Sequence, residues 1–387
     1  MSHRWVSTDE ELARVVDEVR SEPRYALDTE FHRERTYYPR LALVQLSWPG
    51  GTVLIDPLAC DCRGLVPLLE GPGLAVLHAA QQDLDVLQSS IGAVPAHLYD
   101  TQLAAGFVGY STPALSALAH GELATTLPKG DRLTDWLRRP LTEAQREYAA
   151  SDVTHLLALH DTLTAQAAAL GRAAWVDEAC EELRTRAYGS NDPADAWLRL
   201  KDVRTLKAKA RGVAQAVAEW RERRAAASDI PPRQVLPDLA ILGIAQKAPR
   251  TPQELAHARG VDERHYRGGL GREIVDAVAR GVDQEVAVPA NDAEELDRHL
   301  RPAVTLVSAW VSELARKERI DTVLLGTRAD IAALLRGDPE ARLASGWRAA
   351  VVGDDIRHLV EGTAALTFDG RGGLSLIPVP VVTAPDV

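Results

Sequence analysis

Two acids two positions apart, Asp28 and Glu30, interrupt the apolar stretch Tyr25-Ala26-Leu27-Asp28-Thr29-Glu30-Phe31. Side chains alternate along a β-strand, so both point to one face. Side by side there they repel each other and lose hydration, and a divalent cation relieves both costs. In the competing arrangement Glu30 opens a loop and both acids face water. More carboxylates lie downstream. The segment Ala79-Ala80-Gln81-Gln82-Asp83-Leu84-Asp85 runs from a strand end into a helix start, where α/β proteins place site residues. Asp83 there either complements the helix dipole or binds a cation, and Asp85 competes with it. Tyr148 and Asp152, four apart, share one helix face otherwise rich in Ala and Leu. A packing tyrosine and a surface acid are the plain alternatives, and His155 is a rival ligand. Carboxylate oxygens suit a hard cation such as Mg²⁺, which can activate water.

Several elements must position these residues. Ser7-Thr8-Asp9-Glu10-Glu11 offers a helix cap, followed by Leu12, Val15, Val16 and Val19 at helical spacing. The acid-bearing strand comes next, then strands at 42–48 and 52–56 joined by Pro49-Gly50-Gly51, a short connection that implies antiparallel pairing. A short helix near 64–70, a strand at 74–78, a helix from about Gln82 and further helices to about 120 follow. From Thr142 the pattern is helical to about 170. Strands first, then strands alternating with helices, predict an α/β domain with a mixed sheet.

The periodicity breaks around Gly189-Ser190-Asn191-Asp192-Pro193, and from about 197 the pattern is all helical. Arg and Lys outnumber Glu between Arg204 and Arg224. Asp229-Ile230-Pro231-Pro232 stops that helix, and Thr251-Pro252-Gln253-Glu254-Leu255 starts another. A second break at 288–292 precedes a long helical stretch, two more helices, and a small hairpin around Asp369-Gly370-Arg371-Gly372-Gly373. The tail from 377 is expected to be loose.

The chain has 387 residues, 46% hydrophobic and 26% charged, enough for two or three soluble domains. A net charge of −11 excludes a generally basic surface but permits a local basic groove. Cys60 and Cys62 sit too close for an ordinary disulfide and Cys180 is alone, which fits a reducing compartment. With no apolar leader and no spanning run, the expected location is the cytoplasm, with no membrane partner.

In order, LDTEF, LHAAQQDLDVL and YAASDV resemble the three motifs of the DEDD exonuclease superfamily, in its tyrosine-bearing subclass. RTYYPRLALVQLS, TVLIDPL and LTDWLRRPLTEAQREYAASDV extend the likeness, which is closest to the ribonuclease D family. AVAEWRERRAAASDIPPRQVLPD resembles an HRDC domain, a small helical module. The resemblance implies a ribonuclease H-like exonuclease domain at 1–190, an HRDC domain at 205–285, and a degenerate second one at 293–376. It implies metal-dependent 3′-5′ exonuclease action on RNA, tRNA precursors foremost, using two divalent ions, Mg²⁺ or Mn²⁺. Asp28, Glu30, Asp83 and Asp152 match the metal acids and Tyr148 the tyrosine that orients water; Asp83 fits the motif better than Asp85. Phe31, His78 and Lys129 are the expected substrate contacts. Arg33, Arg35, Tyr37, Arg132, Arg138, Arg139 and the basic helix are candidates for holding phosphates. Ala80 departs from the family, many of whose members have Gly there.

Overall fold

The computed structural model describes residues 3–128, 130, 134–186, 188–189, 192–287 and 300–379. The exonuclease region holds strands β1 (Arg4–Val6), β2 (Arg24–His32), β3 (Arg40–Trp48), β4 (Gly51–Ile55), β5 (Leu74–Leu77) and β6 (His97–Asp100). Its helices are α1 (Asp9–Val19), α2 (Val66–Leu69), α3 (Gln81–Ser90), α4 (Thr101–Gly106), α5 (Leu115–Leu123), α6 (Glu143–Thr154), α7 (Leu156–Ala169) and α8 (Ala173–Arg184). The six strands form one mixed sheet in the order β1-β4-β3-β2-β5-β6. As expected, β2, β3 and β4 form an antiparallel meander; β5 and β6 add in parallel to one side and β1 to the other.

Burial on both faces explains the apolar strands. β3 is buried from Leu41 to Trp48. Leu27, Val44, Leu46 and Ile55 face α1 and α3, while Leu43 and Leu54 face α6. Ala149 and Ala150, both buried, bring α6 close to the sheet. A larger side chain at either would push the helix outward, and Tyr148 and Asp152 with it.

Three local features differ from expectation. β1 pairs at the sheet edge; three residues are too short to show a period. The helical stretch after Thr142 is two helices, broken at His155 (φ −103°, ψ −4°). The break lets α6 lie on β2, β3 and β4 while α7 packs on α4 and α5. Between Glu30 and Phe31 the register with β3 slips: Glu30 pairs with Leu43 but Phe31 with Leu41, so Ala42 is a bulge. Such bulges sharpen strand twist and re-aim side chains beside sites.

Next come α9 (Ala208–Ser228), α10 (Pro232–Val235), α11 (Asp238–Lys247), α12 (Pro252–Leu255), α13 (Glu263–Tyr266) and α14 (Gly268–Gly281), around a core of their own that includes Trp197, Val217, Ile241 and Ile274. This unit grips the loop after β2. The Asp229 carboxylate accepts from the backbone N–H groups of Tyr37 and Tyr38, both at 3.1 Å, and the Tyr37 hydroxyl donates to buried Glu222. Tyr37 is thus held between the two domains.

The last region comprises α15 (Arg301–Glu318), shorter helices through Val360, and a hairpin of β7 (Ala364–Phe368) and β8 (Leu374–Pro378). It shares one core with the exonuclease helices. Trp347 stacks on Trp175 at 4.9 Å and meets Phe107 edge-on. Buried Arg172 donates to the carbonyls of Phe107 and Glu318. The break at 288–292 and the tail beyond 379 lie outside the described residues, as do Lys129 and Arg132. Among the described residues no helix is long and apolar enough to cross a membrane, and all three cysteines are free and buried.

Candidate active site

Asp28 and Glu30 project from one face of β2, and α6 brings Asp152 over them. One carboxylate oxygen from each of the three lies within 4.8 Å of the others. The donor set is entirely oxygen, as a hard divalent cation requires. His155 is not among these ligands.

Asp83 enters from the first turn of α3. It is buried, and its carboxylate accepts from the Thr29 hydroxyl at 2.5 Å and the Thr29 N–H at 3.2 Å. This ties it to the residue between Asp28 and Glu30. Asp85, two residues on, points elsewhere around the helix. It pairs with Arg33 and accepts from the Gly189 N–H at 3.0 Å, so the two acids are held in different directions.

The turn that presents α3 is held by Asp100, a residue the motif spacing did not single out. Its carboxylate accepts from the N–H groups of Ala79 and Ala80, at 3.2 and 2.8 Å, and caps α4 through Gln102 and Leu103. A capping signal was present, since an Asp follows the strand and opens a helix. Ala79, at φ 57°, takes the left-handed conformation; Ala80 is helical at φ −61°, so the departure from Gly there costs no strain.

Four carboxylates in a small, partly dry space hold protons tightly. Burial lifts Glu30 to about 8, with Asp152 and Asp83 adding to the shift. Burial likewise lifts Asp83 and Asp152 to about 7 each. Asp28 is raised well above the carboxylate range by burial first and then by Asp83, Asp152 and Glu30. Burial and the neighbouring Asp152 also push the Tyr148 phenol upward.

Tyr148 stacks on Trp136, ring centroids 6.1 Å apart, and Gly130 lies beneath it: a Cβ there would come within 2.4 Å of the ring. Glu30, Phe31, Arg33, Arg35, Trp136 and Tyr148 line a cavity of about 500 Å³. Trp136 and Gly130 seat Tyr148 through contacts that residue spacing does not reveal. Phe31 is half-buried at the cavity wall, with the Arg33 guanidinium 5.4 Å over its ring.

Two of the expected contacts are engaged inside the protein. Both ring nitrogens of His78 have partners there, Nδ1 with the Thr101 hydroxyl at 2.8 Å and Nε2 with the Pro113 carbonyl at 3.1 Å. Arg139 is the other. It forms a two-pronged pair with buried Asp56 and donates to the carbonyls of Ala42 and Trp136, which ties the segment before α6 to the sheet.

Comparison with known proteins identifies the family. A family model described as 3′-5′ exonuclease matches residues 3–168, and one for the HRDC domain matches residues 210–278. Ribonuclease D of Jannaschia sp. (strain CCS1) is 35% identical over 382 residues, covering 95% of this chain and 97% of its own. Ribonuclease D of Escherichia coli (strain K12) is 30% identical over 375 residues, 93% of this chain and 99% of its own. The crystal structure of the Escherichia coli RNase D, described as an exoribonuclease involved in structured RNA processing, matches with a TM-score of 0.83 over 94% of this chain and 99% of that one. With an acidic cluster on a matching fold, the chain belongs to the ribonuclease D family of divalent-metal-dependent 3′-5′ exoribonucleases.

Proposed function

We propose that the chain trims the 3′ ends of structured RNA, tRNA precursors foremost, releasing 5′-nucleotides by two-metal-ion hydrolysis with Mg²⁺ or Mn²⁺. The observation that carries this reading is the convergence of Asp28, Glu30 and Asp152 within 4.8 Å, with Asp83 anchored beside them on Thr29. Paired cations, when bound, activate water and stabilise charge on the leaving 3′ oxygen. Asp28 would bridge the two positions, Glu30 and Asp152 would complete one, and Asp83 would help hold the other. The raised proton affinity of the Tyr148 phenol keeps it protonated at neutral pH. It therefore donates a hydrogen bond that orients the attacking water, rather than taking a proton from it.

The walls of the cavity supply the substrate contacts of this proposal. Phe31 offers a face to the terminal base, and Arg33 and Arg35 offer charge to its phosphates. The domain division at 1–190, 205–285 and 293–376 belongs to the same proposal. The separate core of the helical unit supports its middle member, and the core shared through Trp347 weighs against a free-standing last one.

Tyr148→Phe is expected to lower kcat by roughly 10–100-fold, matching loss of one oriented hydrogen bond of about 1.5–3 kcal/mol. Mn²⁺ affinity should be unchanged. A proportional loss of metal binding would place Tyr148 among the groups that hold the cation instead. The substrate is tested with a tRNA carrying a 3′ extension and a DNA oligomer matched to that extension. Stepwise shortening of the RNA with the DNA left intact supports the reading; shortening of the DNA with the RNA left intact would make this a deoxyribonuclease site.

A further inference from the structure

The side chain of Gln45 is fully buried, yet among the described residues neither its oxygen nor its nitrogen has a hydrogen-bond partner. Folded proteins rarely carry such a group, and each case calls for an explanation. Its position supplies one. On β3, Gln45 is the direct partner of Asp28 on β2, and on its other side it pairs with Leu54 of β4. Directly opposed residues in an antiparallel pair project from the same face, with Cβ atoms about 4.5–5.5 Å apart. The amide therefore shares the face of Asp28 and Glu30, under α6. Of its neighbours there, Leu43, Leu54, Ala149 and Ala150 offer no polar side chain. Ser47, two residues along, is already bonded to Thr52 at 3.0 Å.

We propose that Gln45 is a positioning residue for Asp28: its side-chain N–H donates to the Asp28 carboxylate in the cation-bound enzyme and fixes which oxygen faces the metal. The inference rests on the metal-site reading above. Asp28 sits among three other acids, and as the carboxylate that would serve both cation positions it would need a fixed orientation. Neighbours that orient a ligating carboxylate set metal affinity in this way, and their removal typically costs 10–100-fold. A polar group that does nothing would be expendable at this position, because an apolar side chain of equal length fills the same space at no hydrogen-bonding cost.

The test uses the full chain, stripped of metal, with Mn²⁺ as probe. Gln45→Met keeps length and volume and removes the amide. Gln45→Asn keeps the amide but withdraws it by one methylene. For Gln45→Met the expected result is a Tm in EDTA equal to or above that of the parent, with a Kd for Mn²⁺ raised about 10–100-fold. Activity lost at limiting Mn²⁺ should return at high Mn²⁺, as lowered affinity requires. Gln45→Asn should weaken Mn²⁺ binding in the same direction, and it carries the test if Gln45→Met fails to fold. A variant that binds Mn²⁺ within twofold of the parent overturns the inference and leaves the metal site standing. A parent chain that binds no Mn²⁺ overturns the metal-site reading and this inference with it.

Discussion

Asp28→Asn is expected to lower kcat/KM by roughly 10³-fold or more while leaving the fold intact, the loss corresponding to the several kcal/mol a cation contributes to charge stabilisation. Asp28 is the acid on which the others converge: Asp83, Asp152 and Glu30 all add to its raised proton affinity. Asn keeps its shape and removes the ionisable oxygen. Because the same change also removes one member of a mutually repelling cluster, the metal-free variant should melt no lower than the parent. Turnover is measured alongside Tm in EDTA. Near-normal activity would remove Asp28 from the site, and a large drop in Tm would make the loss of activity a folding effect.

Metal binding should stabilise the protein more at high pH than at low pH. Glu30, Asp83 and Asp152 stand at about 8, 7 and 7 in the folded protein, against ordinary values of 4.5, 3.8 and 3.8. Between about pH 4 and pH 8 the folded chain therefore binds protons that the unfolded chain has released. Where the folded state binds more protons, stability falls as pH rises. The metal-free protein should thus lose stability progressively through this window. A cation replaces those protons, so it competes with them below pH 7 and meets ionised ligands above pH 8. At a concentration 100 times its Kd the expected gain is about 2.7 kcal/mol. Thermal melts at pH 5.5, 7 and 8.5, in EDTA and in Mn²⁺, measure both effects. An equal metal-induced shift at all three values would contradict the electrostatic description of the site.

The meander β2-β3-β4 was legible because apolar runs and a Pro-Gly-Gly turn are local signals. So was the pairing of Asp28 with Glu30 on one face, which follows from strand alternation alone. The choice of Asp83 over Asp85 rests on motif resemblance; the bond that ties Asp83 to Thr29 links residues 54 apart in sequence and lies beyond local pattern. The same holds for the bulge at Ala42, the Asp100 carboxylate that holds the α3 turn, and the Gly130 seat of Tyr148. Each depends on which segments become neighbours, and hydrophobic periodicity carries no such information. His78 and Arg139 show the converse. Both have the residue type of a substrate contact, and both are spent on internal hydrogen bonds that only the folded chain reveals. The last region reads as a helical unit of its own, yet Trp310 and Trp347 belong to the core of the exonuclease helices.

The most direct measurement of the central claim uses an RNA oligomer labelled in its 3′-terminal nucleotide, incubated with the parent chain and Mg²⁺. The label should appear first as a free nucleoside 5′-monophosphate, and EDTA should stop its release. Label appearing first in an internal fragment, or released equally well in EDTA, would contradict a metal-dependent site working from the 3′ end.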